Sequence, residues 1–219
     1  ALEAKDFAAI EALRLPNLDE LRRKLKEEAK NALDVGKSKA SGEISIVTPP
    51  TPEIQINALY AQVDQVVDEM ESSIISSART QAVAALSAGI GASAAIFSIK
   101  SAIDASASAY TSGISGSLTG GSLNIGRTIV WDIAKGDIYA LQRSEILDPR
   151  TCAICISIDG RLADPSDPFI RLGQVHTNCR GTWVAVKKTD PLLPGKIGIP
   201  KSIKGRFETV EGVPRTNAF

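Results

Sequence analysis

The stretch from Thr80 to Leu123 limits what this chain can build more than any other part of it. Of its 44 residues, 11 are Ala, 10 Ser and 6 Gly, and only Lys100 and Asp104 are charged. Small side chains bury little apolar area each, so such a segment gains stability mainly where backbones approach closely. The 20 residues between Arg79 and Lys100 carry no charge, a length that would span a membrane. Thr80, Gln81, Ser87, Ser93 and Ser98 dilute its apolarity, and Leu, Ile, Val and Phe are few. The favoured reading is therefore two closely packed helices, about 85–100 and 101–112, with small residues at their contact. Thr111 to Asn124, with Gly113, Gly116, Gly120 and Gly121, reads as a flexible loop.

On either side the periodicity is clearer. Residues 2–13 and 17–35 read as helices separated by Pro16, with Asn17 as cap and Gly36 as stop. Leu18, Leu21, Leu25, Ala29 and Leu33 form an apolar stripe opposite a charged face. Residues 37–53 read as a linker. It holds a short extended piece, Ile44–Val47, and the stiff run Thr48-Pro49-Pro50-Thr51-Pro52. Ile54, Leu59, Val63, Val67, Met70 and Ile74 carry one long helix over 53–88, and a further helix covers 123–136. Ile138–Ile146 and Thr182–Val186 alternate or run apolar as strands do. Beyond Thr189 the chain reads as a largely irregular tail.

The expected fold class is α+β, with a helical N-terminal two-thirds and a small C-terminal module of short antiparallel strands. The segments are 1–36 (N-terminal helices), 37–53 (Pro-rich linker), 54–122 (helices rich in small residues), 123–187 (the module) and 188–219 (basic tail). An apolar content of 43% excludes wholesale disorder. The start Ala1-Leu2-Glu3-Ala4-Lys5-Asp6 is charged, unlike a signal peptide. Lys plus Arg and Asp plus Glu both number 25, which argues against a surface devoted wholly to nucleic acid. The balance is uneven along the chain. Residues 51–126 hold two basic and six acidic residues, a net of −4, whereas Arg180 to the end holds eight basic and three acidic, a net of +5. That tail suits DNA phosphates or an acidic protein surface, and equally a plain solvated tail.

All three cysteines and the single histidine fall within one short stretch, as Cys152-x-x-Cys155 and His176-x-x-Cys179. Thiolate and imidazole are the ligands of tetrahedral structural zinc, and a site closed by four protein ligands leaves no place for a reacting water. Four other readings stand beside zinc. Cys152 and Cys155 can form a redox dithiol, but no thioredoxin-like context surrounds them. His176 and Cys179 can form a base–nucleophile pair, but three residues apart they suit a shared metal better. A disulfide and unligated thiols complete the alternatives. Asp159-Gly160, after Ile154, Ile156 and Ile158, suggests a hairpin. Arg180 follows the last ligand and is placed to pair with Asp148 or Asp159, to support a ligand sulfur, or to stand in solvent.

Arg143-Ser144-Glu145-Ile146-Leu147-Asp148-Pro149-Arg150-Thr151-Cys152-Ala153-Ile154-Cys155, then Ile158-Asp159-Gly160-Arg161, then His176-Thr177-Asn178-Cys179-Arg180-Gly181, resembles the C-terminal domain of MuF-like phage head morphogenesis proteins. The resemblance covers about residues 123–187. Many members of that family carry a further cysteine where this chain has Gly181. The resemblance implies a minor head protein of a tailed phage, associated with the portal or the major capsid protein. It would lie in the virion, at the capsid interior or portal vertex, and in the host cytoplasm during assembly. It also implies support of head assembly, packaging or DNA ejection. A zinc-ribbon-like nucleic-acid module is the competing function, although Trp131, Trp183, Tyr110 and Tyr139 are too scattered for a stacking platform. Transient membrane contact through Thr80–Leu123 is a further expectation. No catalytic set is evident and no second histidine is present to act as base, so an enzyme is not expected.

Overall fold

The computed structural model describes residues 14–149, 151–167 and 180–189. Among the described residues seven elements follow one another. They are α1 (Leu18–Ile44), α2 (Glu53–Ser87), α3 (Ala92–Ala134), β1 (Ile138–Ser144), α4 (Ala153–Ile158), β2 (Leu162–Ala163) and β3 (Thr182–Lys187). The chain is mostly helical, with one three-stranded antiparallel sheet in the order β2-β1-β3. The α+β expectation holds at that level. The expected helix over 2–13 and the tail beyond 189 lie outside the described residues.

The chain forms two compact units, and neither is continuous in sequence. The first combines Ala1–Lys26 with Tyr60–Ser115. There the start of α1 meets α2 through charge. Arg22 pairs with Asp68, and Lys26 Nζ lies 2.8 Å from Asp64 Oδ2 and over the Tyr60 ring. α2 then folds back on α3. Gly89 takes a left-handed conformation (φ 64°). The Gly89 N–H donates to the Leu86 carbonyl, and the Ile90 N–H to that of Ala85. These two bonds are the closing pair of a Schellman motif, which stops α2 and turns the chain. Ala78, Ala82, Ala85 and Ala95 are buried with Val63, Val67 and Ile74. Ser98 Oγ and Ser106 Oγ donate to Gln81 Oε1 and Ser77 Oγ, at 3.2 and 3.1 Å. The small residues thus lie between α2 and α3 and not between helices over 85–100 and 101–112, and among the described residues no helix is long and apolar enough to cross a membrane.

The boundaries of those helices differ from expectation. In place of helices over 85–100 and 101–112, a loop over 111–124 and a helix over 123–136, α3 is one helix of 43 residues. Four of its polar side chains bond to the helix's own backbone. Thr111, Ser122, Asn124 and Thr128 each donate to the carbonyl four residues back. Side chains bonded in this way no longer compete for the backbone as they would in a turn.

The second unit combines Glu27–Leu59 with Gly116–Phe219. Here α1 lies against the second half of α3, and two glycines set the approach. A Cβ on Gly36 would overlap the Leu123 carbonyl, and one on Gly126 would overlap the Leu33 carbonyl. Gly36 therefore does not stop α1, and the expected linker does not begin at residue 37. The helix ends at Ile44, where Ser45 takes φ 64° and Ile46 N–H donates to the Ser41 carbonyl at 3.0 Å. Ile46 packs on the core beyond this cap, so Ile44–Val47 is a helix end and not a separate extended piece. That core joins Ala40, Ile44, Val130, Trp131, Ala134, Ile138, Leu141, Ala163, Trp183 and Ala185. The two tryptophans contribute most, since each removes about 200 Å² from water. Arg127 ties α3 to the sheet. It pairs with Glu43, and its Nε donates to the Trp183 carbonyl at 2.8 Å.

Candidate metal site

The candidate site is built where β1 leaves the sheet. Ile138, Ala140 and Leu141 are buried in β1, and Arg143 is buried near its end. A charged side chain on the inner face needs a partner. Arg143 has one in Glu145, with Nε to Oε1 at 2.6 Å and both side chains almost wholly buried. The guanidinium also lies over the Trp183 ring, 5.5 Å from its centre.

Cys152 begins α4. It stands at the helix N-cap in extended conformation (φ −73°, ψ 159°), and its Sγ accepts the Cys155 N–H at 3.5 Å. The Cys-x-x-Cys segment is thus a single helical turn. The hairpin expected from Ile154, Ile156, Ile158 and Asp159-Gly160 is not formed. Cys155 and Ile158 point inward with Cys152 and Ile154 beside them, a helical spacing and not an alternating one. Asp159 ends the turn, and Gly160 (φ 72°) leads the chain into β2.

The two aspartates considered as partners of Arg180 divide their roles. Asp148 takes Arg180 in a two-pronged pair, at 2.7 and 2.6 Å. The Asp148 carboxylate beside it raises the Arg180 guanidinium above its ordinary value, and the charges of Cys155 and Glu145 act in the same direction. Asp159 instead accepts the Glu145 backbone N–H at 2.8 Å. Asp148 therefore ties Arg180 to the segment that leads into the Cys152 helix cap.

His176 and Cys179 lie outside the described residues, and among the described residues no three His, Cys, Asp or Glu side chains gather to hold a metal ion. Cys152 and Cys155 do fit such a role chemically. Two thiols share one turn, and the Cys152 sulfur accepts the Cys155 backbone N–H. The buried Arg143–Glu145 pair was not anticipated. Its signal was a charged residue on the inward face of a strand with an opposite charge two residues on.

No protein-family model, curated protein or solved structure matches this chain.

Proposed function

We propose that this chain is a structural minor head protein of a tailed phage, of the MuF-like kind, with zinc holding its C-terminal module. The observation that carries this reading is the ligand pattern Cys152-x-x-Cys155 and His176-x-x-Cys179 with its flanking residues. The first pair lies on one turn, next to the Asp148–Arg180 pair. Zinc bound by Cys152, Cys155, His176 and Cys179 would supply a covalent-strength cross-link and no reaction. The module would dock on the portal or major capsid protein, with the basic segment after Arg180 facing DNA or an acidic protein surface.

Two measurements test this. Freshly purified reduced protein should contain one zinc per chain, lost with Cys152→Ser. Particles made without the protein should show reduced head yield, DNA content or infectivity. Full infectivity of such particles overturns the head-protein reading, and metal-free reduced protein overturns the zinc. Salt-dependent retention of the chain on DNA, with normal particles in its absence, would favour the nucleic-acid module instead.

A further inference from the structure

We propose that the tip of the α2–α3 hairpin, from Thr80 to Ile99, is a lipid-binding wedge that enters one leaflet of an anionic membrane without crossing it. The tip lies wholly within the first compact unit, and its role is independent of the zinc and head-protein readings. The 20 residues between Arg79 and Lys100 carry no charge. Four of their large apolar side chains are nevertheless exposed, Val83, Ile90, Ile96 and Phe97, with Ile96 at 58% and Phe97 at 76%. Single exposed apolar residues are ordinary, whereas a cluster of them at one end of a hairpin marks an interaction site.

The distribution of charge and hydrogen bonds points to lipid as the occupant. A protein partner covers one side of a helix pair and leaves the other to water, where charged side chains collect. No side of this tip carries a charge. Ala82, Ala85 and Ala95 are buried, and the outer surface bears only small, uncharged polar and apolar residues. A segment of that kind on every side suits a medium that excludes charge all round. In lipid the backbone must also bond to itself. At the turn the Ala88, Gly89 and Ile90 N–H groups donate to the Ala84, Leu86 and Ala85 carbonyls at 3.0, 3.3 and 3.1 Å, and Ala95 N–H donates to Gly91 at 3.1 Å.

Two cations bound the uncharged tip at one level. Ser98 Oγ donates to Gln81 Oε1 and Ser106 Oγ to Ser77 Oγ, a register that sets Lys100 opposite Arg79 on the two antiparallel helices. Cations at the base of an apolar segment meet anionic headgroups while their stems lie along apolar surface. From that level to Gly89 the helix rises about 15 Å, at about 1.5 Å per residue. That is half of a hydrocarbon core of about 30 Å. The tip therefore reaches the middle of a bilayer and turns back, which fits the lack of a membrane-crossing helix among the described residues.

The test is co-sedimentation of the full chain with vesicles of phosphatidylcholine and phosphatidylglycerol, and with vesicles of phosphatidylcholine alone. Wild type should bind the anionic vesicles more tightly than the neutral ones. Phe97→Asp should weaken binding to the anionic vesicles by about tenfold or more, because a carboxylate resists entering the apolar layer, with far-UV circular dichroism unchanged. If that variant loses helicity, Ile90→Asp at the turn should show the same loss of binding. Lys100→Gln should weaken binding to the anionic vesicles by about fivefold, the share of one cation near a charged surface. Val47→Asp, at a residue 91% exposed in the second unit, should bind as wild type does. Wild-type protein that stays in solution with anionic vesicles overturns the proposal. So does undiminished binding by Phe97→Asp and Ile90→Asp, which would assign it to the basic segment after Arg180. A dimer in sedimentation velocity that Phe97→Asp breaks, without vesicle binding, also overturns it and gives the tip to a second copy of this chain.

Discussion

The glycines of the long helices separate two physical effects that one residue type can have. Gly113 and Gly121 lie inside α3 with open space where a Cβ would stand. Gly36 and Gly126 lie where a Cβ would overlap the backbone of the facing helix. Alanine at the first two removes only the conformational cost of glycine in a helix, so each change should stabilise by about 0.5–1 kcal/mol. Alanine at Gly36 or Gly126 must push two helices apart against a packed core and should destabilise by about 1–3 kcal/mol or more. Urea unfolding of the four variants checks this, and a common sign for all four would show that the close approach is not there. This contrast also marks what a sequence can convey. Gly36 reads as a helix stop because glycine often is one, and nothing local distinguishes a stop from a contact made by Leu123, far along the chain. The Arg143–Glu145 pair was not anticipated either, although it had a local signal, since residues two apart share one face of a strand.

At the scale of elements, the strong 3.6-residue patterns were readable and the weak ones were not. α2 follows its expected span closely because Leu59, Val63, Val67 and Ile74 mark one face and Pro52 stands just before its start. α3 resembled several pieces because serine and glycine carry no periodic signal, and its continuity comes from bonds to its own backbone. The Cys152–Ile158 segment alternates Ile with other residues yet folds as a helical turn, because the cap at Cys152 and the inward contacts of Cys155 and Ile158 outweigh β propensity. Charge also acts within elements. The Lys30 hydrogen bond holds the Asp34 carboxyl below its usual 3.8, with Lys37 adding to the effect and partial burial opposing it. A carboxyl with a depressed folded pKa stabilises fully above its unfolded pKa and loses that contribution as pH falls through the folded value. Asp34→Asn should therefore lower stability at pH 7 and make no difference once the pH lies below Asp34's depressed value. Unfolding free energies of both proteins between pH 7 and 2 check this, and a gap independent of pH would refute it.

Across the whole molecule, the two compact units differ in what they have to hold them. The first buries Val63, Val67, Ile74 and a row of alanines along α2 and α3, and its long helices make their own hydrogen bonds. The sheet of the second is small. β1 has seven residues, β3 six and β2 two. A sheet of that size is marginal without added support. Trp131, Trp183 and the Arg127 contacts support the β1–β3 side. The β2 and α4 side has a smaller cluster, Cys155 and Ile158 with Cys152 and Ile154 against them, where a metal would add most. Chelation should therefore act unevenly. In amide hydrogen exchange, removing zinc should speed exchange in α4, β2 and the Glu145 amide bonded to Asp159, while the amides of α2 from Tyr60 to Ser87 keep their protection. Bound zinc should raise the melting temperature of the second unit in proportion to affinity and free metal. Protection that falls equally in α2 and α4 would mean that the two units unfold as one, and protection unchanged everywhere would mean that Cys152 and Cys155 hold their turn without metal.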